Sequence, residues 1–262
     1  MKTIMVTGSA GYIGSNLCKK LIQSGYNIVQ IDKVYGSDIL KTDLRQYTVD
    51  CVVHLAAISS IGECQDNKEQ AIRDNVLATV KVSEYAKTYD IPVIFASSQA
   101  IKSPDSSVYA MTKFIGEEGL KHSNEYSILR FANVFGGDNF IDEKTSVIAK
   151  FIRAYDAFTP LTINGTGEQT RDFVHVDDIC KAIIYSIESE YTKMICDVGT
   201  GIENSILDVA KMFNCDVSYD SESGMVGVES NVADTKCIYN HLGFVPGISI
   251  KEYIKRLVVR DF

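Results

Sequence analysis

The sequence predicts an α/β chain: an open, doubly wound parallel sheet with helices on both faces, joined to a small, discontinuous C-terminal lobe. Three observations carry this. Strand-length apolar runs alternate with helix-length segments, the pattern of successive strand–helix–strand units. The runs Cys51–Ala57 and Ile91–Ala96 are apolar almost throughout, as strands covered on both faces must be. The opening strand also passes through a glycine turn directly into an amphipathic segment.

That opening is the most informative stretch. Ile4 to Val6 reads as a strand, Gly8-x-x-Gly11-x-x-Gly14 as the turn, and Tyr12 to Gln23 as the helix. The first glycine permits the tight turn. The second lets a pyrophosphate approach the backbone, and the third lets helix and strand pack closely. The helix N-terminus then offers unpaired N–H groups and a partial positive charge to phosphate. A second strand, Asn27 to Ile31, ends in Asp32, where an acid should meet the adenosine ribose. A carboxylate there attracts a free 2′-OH and repels a 2′-phosphate, which favours NAD. Lys33 beside it keeps NADP open.

Further along, residues 68–89 read as helix, Ile91–Ala96 as a buried strand and residues 108–122 as helix. Tyr126–Phe135 reads as strand, and so does Met194–Val198. After Gly136 the alternation is less regular. A helix over residues 145–157 precedes Pro160, and a short strand, Leu161–Asn164, meets Gly165-Thr166-Gly167. Asp177 is placed to cap a helix over residues 178–189. Short helices near 205–213, 235–241 and 249–259 and a strand at 217–219 complete the chain. The division expected is a dinucleotide-binding domain of residues 1–135 plus 172–200, and a substrate lobe of residues 136–171 plus 201–262.

Bulk properties narrow the function. The 262 residues carry a formal net charge of −8, which argues against non-specific binding to nucleic acid or anionic membrane. An anionic ligand must therefore be held by local cations and backbone amides. Seven cysteines without a C-x-x-C pair read as reduced core thiols in a reducing compartment. The N-terminus enters a strand at once and no apolar run reaches membrane-spanning length, so a cytoplasmic protein is expected. His54 and His175 lack partners at metal-ligand spacing, and no metal is expected.

The chemistry is carried by Tyr109-Ala110-Met111-Thr112-Lys113 and by Ser97-Ser98. On a helix, positions i and i+4 share a face, so the phenol and the ammonium project into one site. A nearby cation favours the phenolate and prepares the phenol for proton exchange with a substrate hydroxyl near neutral pH. Ser98 falls at the carboxyl end of a parallel strand, the edge where open α/β sheets bind ligands.

Together with Asp43-Leu44-Arg45, His54-Leu55-Ala56-Ala57, Leu129-Arg130-Phe131-x-Asn133-Val134-Phe135-Gly136 and the run from Gly165 to Asp178, these residues resemble the extended short-chain dehydrogenase/reductase family. More narrowly, the chain is similar to its NAD-dependent nucleotide-sugar epimerases and dehydratases, of UDP-glucose 4-epimerase type. The resemblance implies a Rossmann fold and a set of roles. Gly8, Gly11, Tyr12, Ile13 and Gly14 would hold the pyrophosphate, Asp32 the ribose, and Asp43 and Leu44 the adenine edge. Ala56 and Ala57 would flank the cofactor. Ser98 and Tyr109 would act on the sugar C4 hydroxyl with Lys113 supporting both, and Asn133 and Arg171 would contact the nucleotide sugar. It also implies a homodimer built from the helices of residues 68–89 and 108–122.

Within that resemblance the residues discriminate. Gln99 and Ala100 stand where dehydratases carry an acid pair, which disfavours dehydration and leaves epimerisation at C4 through a 4-keto sugar. A 4-keto-sugar reductase and a non-catalytic dinucleotide-binding protein stay open as alternatives. The chain is shorter than usual for the family, and Glu229, Ser230 and Asn231 stand where a second diphosphate-binding arginine is expected. Arg153 and Arg256 are candidates to replace it.

Overall fold

The structure, a computed structural model, describes residues 1–137, 146–190, 193–220 and 230–259. Strand β1 (Thr3–Thr7) enters helix α1 (Tyr12–Gln23), and β2 (Asn27–Ile31) and β3 (Cys51–His54) follow. Short helices α2 (Ile61–Asp66) and α3 (Lys68–Ala71) run through a π-helical turn (Ile72–Leu77) into α4 (Ala78–Tyr89). Then come β4 (Val93–Ser98), α5 (Val108–Leu120), β5 (Tyr126–Phe131) and β6 (Asn133–Phe135). The next elements are α6 (Val147–Asp156), β7 (Leu161–Asn164), β8 (Thr170–Arg171), β9 (Phe173–His175) and α7 (Val176–Glu188). The chain ends with β10 (Met194–Val198), β11 (Asn204–Ser205), α8 (Ile206–Lys211), β12 (Val217–Asp220), α9 (Lys236–Leu242) and α10 (Ile250–Val259).

Six strands form one parallel sheet in the order β10-β5-β4-β3-β1-β2. The direction of winding reverses between β1 and β3, and a ligand crevice opens at such a reversal, beyond the carboxyl ends of the strands. Thr7 of β1 stands opposite His54 of β3 at that point. Alternate residues of each strand feed cores on opposite faces. Ile4, Val6, Val53 and Leu129 pack with α1 and α7, while Met5, Val52, Phe95 and Ile128 pack with α4. A third core joins Phe135, Phe151, Phe173, Phe213 and Ile254, from α6, β9 and α10 among others.

The helical run expected over residues 68–89 does start at Lys68 and end at Tyr89, with the π turn inside it. A separate short helix, Ile61–Asp66, precedes it across the non-helical Asn67, its N-terminus capped by the Ser60 hydroxyl accepting from Glu63 N. Two expectations need correction. The single strand expected over Tyr126–Phe135 breaks at Ala132: its N–H turns to Val198 O, and β6 leaves the main sheet to pair with β9. The cap of α7 is His175, whose Nδ1 accepts from Asp177 N, so Asp177 lies inside the helix. Ile238 and Phe244 pack into the core shared by α1 and α7. Thr145, Glu229 and the ends of the expected C-terminal segments beyond Val259 lie outside the described residues.

Candidate active site

The glycine turn is built as its spacing requires. Gly8 sits at φ +69°, and a β-carbon there would lie 2.7 Å from Ala56 N. A β-carbon on Gly14 would collide with the Gly8 carbonyl. Gly11 precedes α1 as its N-cap without a side-chain cap, leaving the first N–H groups of the helix for a ligand. The Ser9 hydroxyl, fully buried in the same turn, has no partner among the described residues. Tyr12 and Ile13 open the helix half-buried, and the Tyr12 hydroxyl donates to Gly136 O at 2.5 Å, fastening the turn to the end of β6.

Asp32 is held at the same edge. Its Oδ2 accepts from Ala10 N at 2.9 Å and its Oδ1 from Val34 N at 3.0 Å. Lys33, the cation that kept NADP open, is committed to Asp74 Oδ2 at 2.6 Å. These groups fit a dinucleotide with a free ribose 2′-OH. Asp32→Asn should therefore weaken NAD binding about tenfold, the scale of a charge-assisted hydrogen bond, and weaken NADP binding less. Titration calorimetry with both cofactors measures the ratio. Asp43 is exposed and forked by Arg45 at 2.8 and 3.0 Å, which holds its carboxyl below the usual range through that hydrogen bond. Leu44 is a core residue.

Ser98, Tyr109 and Lys113 come together at the carboxyl end of β4. Ser98 ends the strand, and its Oγ accepts from Ala100 N at 3.2 Å, capping the following turn. The Ser107 hydroxyl caps α5, which starts the helix in the phase that carries Tyr109 and Lys113 on one face. The mutual activation expected of the pair is not what the free protein displays. Burial pushes the Tyr109 phenol up to about 12, and the hydrogen bond from Ser98 only partly opposes it. Lys113 donates to Ala96 O at 2.7 Å and lies over the Phe95 ring at 5.0 Å. Burial lowers its ammonium from 10.5 to about 8.

This lysine costs stability at neutral pH. Its folded pKa lies below its unfolded value, so between about 8 and 10.5 the unfolded chain holds a proton that the folded chain has shed. Stability from this group rises with pH through that window, and below it the full cost of the buried cation is present. Lys113→Met should therefore stabilise the protein at pH 7 by about 1–2 kcal/mol, the desolvation gain less the lost hydrogen bond to Ala96. Calorimetric melts at pH 7 and pH 10 check this, since the advantage should shrink at the higher pH.

A buried polar chain, which the sequence reading did not find, joins the glycine turn to the helix of Tyr109. Ala56 N donates to Thr7 Oγ1 at 3.2 Å, and Thr7 bonds His54 Nδ1 at 2.7 Å. His54 Nε2 bonds Thr79 Oγ1 at 3.0 Å, and Thr79 donates to Asn75 O at 2.6 Å. Burial, then Lys113, push His54 down to about 3, so the ring is neutral and every bond has one donor and one acceptor. Asn75, in the π turn, donates to Thr112 Oγ1 at 3.0 Å and pairs twice with the Ile58 backbone. A lone Asn within a helical apolar stripe was the signal available.

Three other buried acids organise the edge. Glu117 accepts from Ser97 and from both arms of Arg130. Asp197 pairs with Lys102 at 2.9 Å and accepts from Asp234 N. Asp172 accepts from Thr200 N, Gly201 N and Ala233 N, gathering two segments around one carboxylate. Ala56 and Ala57 are half-buried, with Ala56 directly under Gly8. Asn133 is exposed at the start of β6, its amide 3.4 Å from Asp172 O. Arg171, half-buried in β8, donates to Thr170 O at 2.7 Å, and burial lowers its pKa. Arg153 and Arg256 are exposed on α6 and α10.

The cysteine reading needs one correction. Cys18, Cys51, Cys64 and Cys180 are free and buried and Cys215 is free, but Cys196 and Cys237 form a disulfide between β10 and α9. Apolar surroundings suggested isolated thiols, whereas the packing of α9 on β10 brings these two together.

Comparison with known proteins agrees with this geometry. A relative from Methanocaldococcus jannaschii that carries the provisional name UDP-glucose 4-epimerase is 29% identical, with 97% of each chain covered. MoeE5, solved with UDP-glucuronic acid and NAD, is 27% identical with a TM-score of 0.87, covering 99% of this chain and all of its own. A UDP-N-acetylglucosamine 4-epimerase from Methanobrevibacter ruminantium M1, solved with UDP-N-acetylmuramic acid, is also 27% identical with a TM-score of 0.87, covering 98% and 96%. The family described as NAD dependent epimerase/dehydratase matches residues 4–199, and the chain belongs to this NAD-dependent family.

Proposed function

We propose that the protein is a nucleotide-sugar 4-epimerase acting on a UDP-linked hexose or hexose derivative. The observation that carries this reading is the meeting of Ser98, Tyr109 and Lys113 with the glycine turn at one sheet edge. Bound NAD would supply the hydride acceptor, the returning hydride and a positive charge on its oxidised ring. Tyr109 Oη would take the proton from the sugar C4 hydroxyl, and Ser98 Oγ would orient that hydroxyl and donate to the resulting carbonyl. Lys113 would hold positive charge beneath the phenol. The 4-keto sugar would turn over in the pocket, and Tyr109 would return the proton to the opposite configuration. Gly8, Gly11, Tyr12, Ile13, Gly14, Asp32, Asp43, Leu44, Ala56 and Ala57 are the proposed cofactor contacts, and Asn133 and Arg171 the proposed substrate contacts.

Gln99 supports epimerisation over dehydration. Its side chain is buried with its amide facing Asp197 at 3.5 Å, and neither an amide nor the methyl of Ala100 can serve as the acid and base that remove water from the sugar. Residues 136–171 and 201–262 are the proposed substrate lobe. A homodimer through the helices of residues 68–89 and 108–122 is supported by Leu77, Val80, Met111, Phe114 and Ile115, large apolar side chains left exposed there. Among the described residues no helix is long and apolar enough to cross a membrane.

Proton NMR of the protein with NAD and a panel of UDP sugars tests the function. New anomeric signals without accumulating NADH establish epimerisation and name the sugar. Turnover only of keto sugars, and only with NADH supplied, would overturn it in favour of a reductase.

A further inference from the structure

Away from the catalytic edge, Cys196, Cys237 and His241 bring two sulfurs and an imidazole nitrogen within 4.8 Å of one another. The two cysteines are 41 residues apart in sequence and 5.3 Å apart at Cα, inside the ordinary range for a disulfide. Cys196 is buried, Cys237 half-buried and His241 exposed, so a small reagent reaches Cys237 first. His241 Nδ1 lies 3.7 Å from Cys237 Sγ.

The other cysteines are poor competitors. Cys18, Cys51, Cys64 and Cys180 are buried, and burial raises each thiol, Cys51 and Cys180 to about 12. Burial also raises Cys215. A thiol kept protonated exchanges slowly. Reactivity is thereby concentrated on the pair.

What the pair holds matters for the site. The run just before α9 touches the catalytic edge at three points. Lys102, in the turn after Ser98, donates to Val232 O at 2.8 Å, Ala233 N donates to Asp172, and Asp234 N donates to Asp197. Cys237 follows within the next turn and fixes that run covalently to β10.

We propose that Cys196 and Cys237 are a reversible thiol–disulfide exchange site for low-molecular-weight thiols and disulfides, and that its oxidised form clamps residues 230–242 against the catalytic edge. In oxidation the Cys237 thiolate attacks one sulfur of the external disulfide and expels one thiolate. Cys196 then attacks Cys237 Sγ, forming the internal bond and expelling the second. Two protein thiols lose two protons and two electrons, and the external disulfide becomes two thiols. In the reverse direction an external thiolate attacks the accessible Cys237 Sγ and Cys196 leaves. A second external thiolate then attacks the external sulfur of the mixed disulfide, which releases Cys237 as its thiolate and the external disulfide.

The test uses the NAD-loaded protein equilibrated in glutathione buffers of graded ratio, then acid-quenched, alkylated and mapped by mass spectrometry. Cys196 and Cys237 should convert together in one step. On reduction, amide exchange of residues 232–242 should accelerate on the order of tenfold or more, as the loss of a cross-link permits. Cys237→Ser should show the fast exchange in every buffer. The effect on turnover rests on the epimerase reading, and KM for the nucleotide sugar should rise more than kcat falls. Alkylation of both cysteines in every buffer, protection that EDTA abolishes, or equal amide exchange in both states would each overturn the proposal. Redox-dependent amide exchange without any turnover would support the clamp and count against the epimerase reading instead.

Discussion

Tyr109→Phe should lower kcat by about 10²–10⁴-fold, the usual worth of a positioned general acid–base group, while leaving NAD affinity nearly unchanged. The substitution removes one oxygen from a half-buried ring and keeps the packing. The cofactor cradle of Gly8, Gly14 and Asp32 lies on other elements and does not feel it. The pH profile separates this role from a structural one. In the free protein the phenol sits at about 12, so near pH 7 each unit of pH raises the phenolate fraction roughly tenfold. Lys113 loses its charge at about 8, which withdraws the supporting cation above that point. The wild-type kcat/KM should therefore climb from pH 6 and level near 8, and the residual activity of Tyr109→Phe should be flat. A wild-type-like rate in the variant would remove Tyr109 from the mechanism.

The parts of this site that could be read from the sequence are those in which local spacing equals spatial proximity. Gly8 to Gly14 lie in one turn, and Tyr109 and Lys113 lie one helical turn apart, so their juxtaposition follows from backbone geometry. Ser98 required one further step, that strands of a parallel sheet end along a common edge. The polar chain from Ala56 through Thr7, His54 and Thr79 to Asn75 could not be read in this way. Thr7, His54 and Thr79 are single polar residues in apolar runs, Ala56 joins through its backbone N–H and Asn75 follows two charged residues, so only the register of β1 against β3 and the π turn before α4 bring them into line. The same holds for Asp172, whose three backbone partners come from distant segments, and for the pairing of Cys196 with Cys237. Electrostatics was the other thing hidden. Spacing put a cation beside a phenol, but burial, which decides the pKa of both groups, is a property of the packed chain.

Gly14→Val should abolish binding of NAD, with affinity lost by at least about 100-fold, or roughly 3 kcal/mol, the upper range for forcing a branched side chain into a packed site. The first atom of the new side chain already overlaps the Gly8 carbonyl, and backbone cannot swing aside as a flexible side chain would. Either α1 tilts away from β1 or the turn opens, and in both cases the N–H groups at the start of α1 lose their aim at the pyrophosphate. Gly11→Ala provides the graded control, because its β-carbon would lie 3.2 Å from the same carbonyl and needs only a small shift. Calorimetric titration should thus give a modest loss for Gly11→Ala and none of the wild-type heat for Gly14→Val, with circular dichroism confirming that both chains fold. Comparison with Asp32→Asn then separates two functions of one edge. The carboxylate discriminates between cofactors, so its loss changes the ratio of NAD to NADP binding. The glycine turn seats the phosphates common to both, so its distortion should remove the two affinities together. A Gly14→Val protein that kept NAD while losing only NADP would place the pyrophosphate elsewhere.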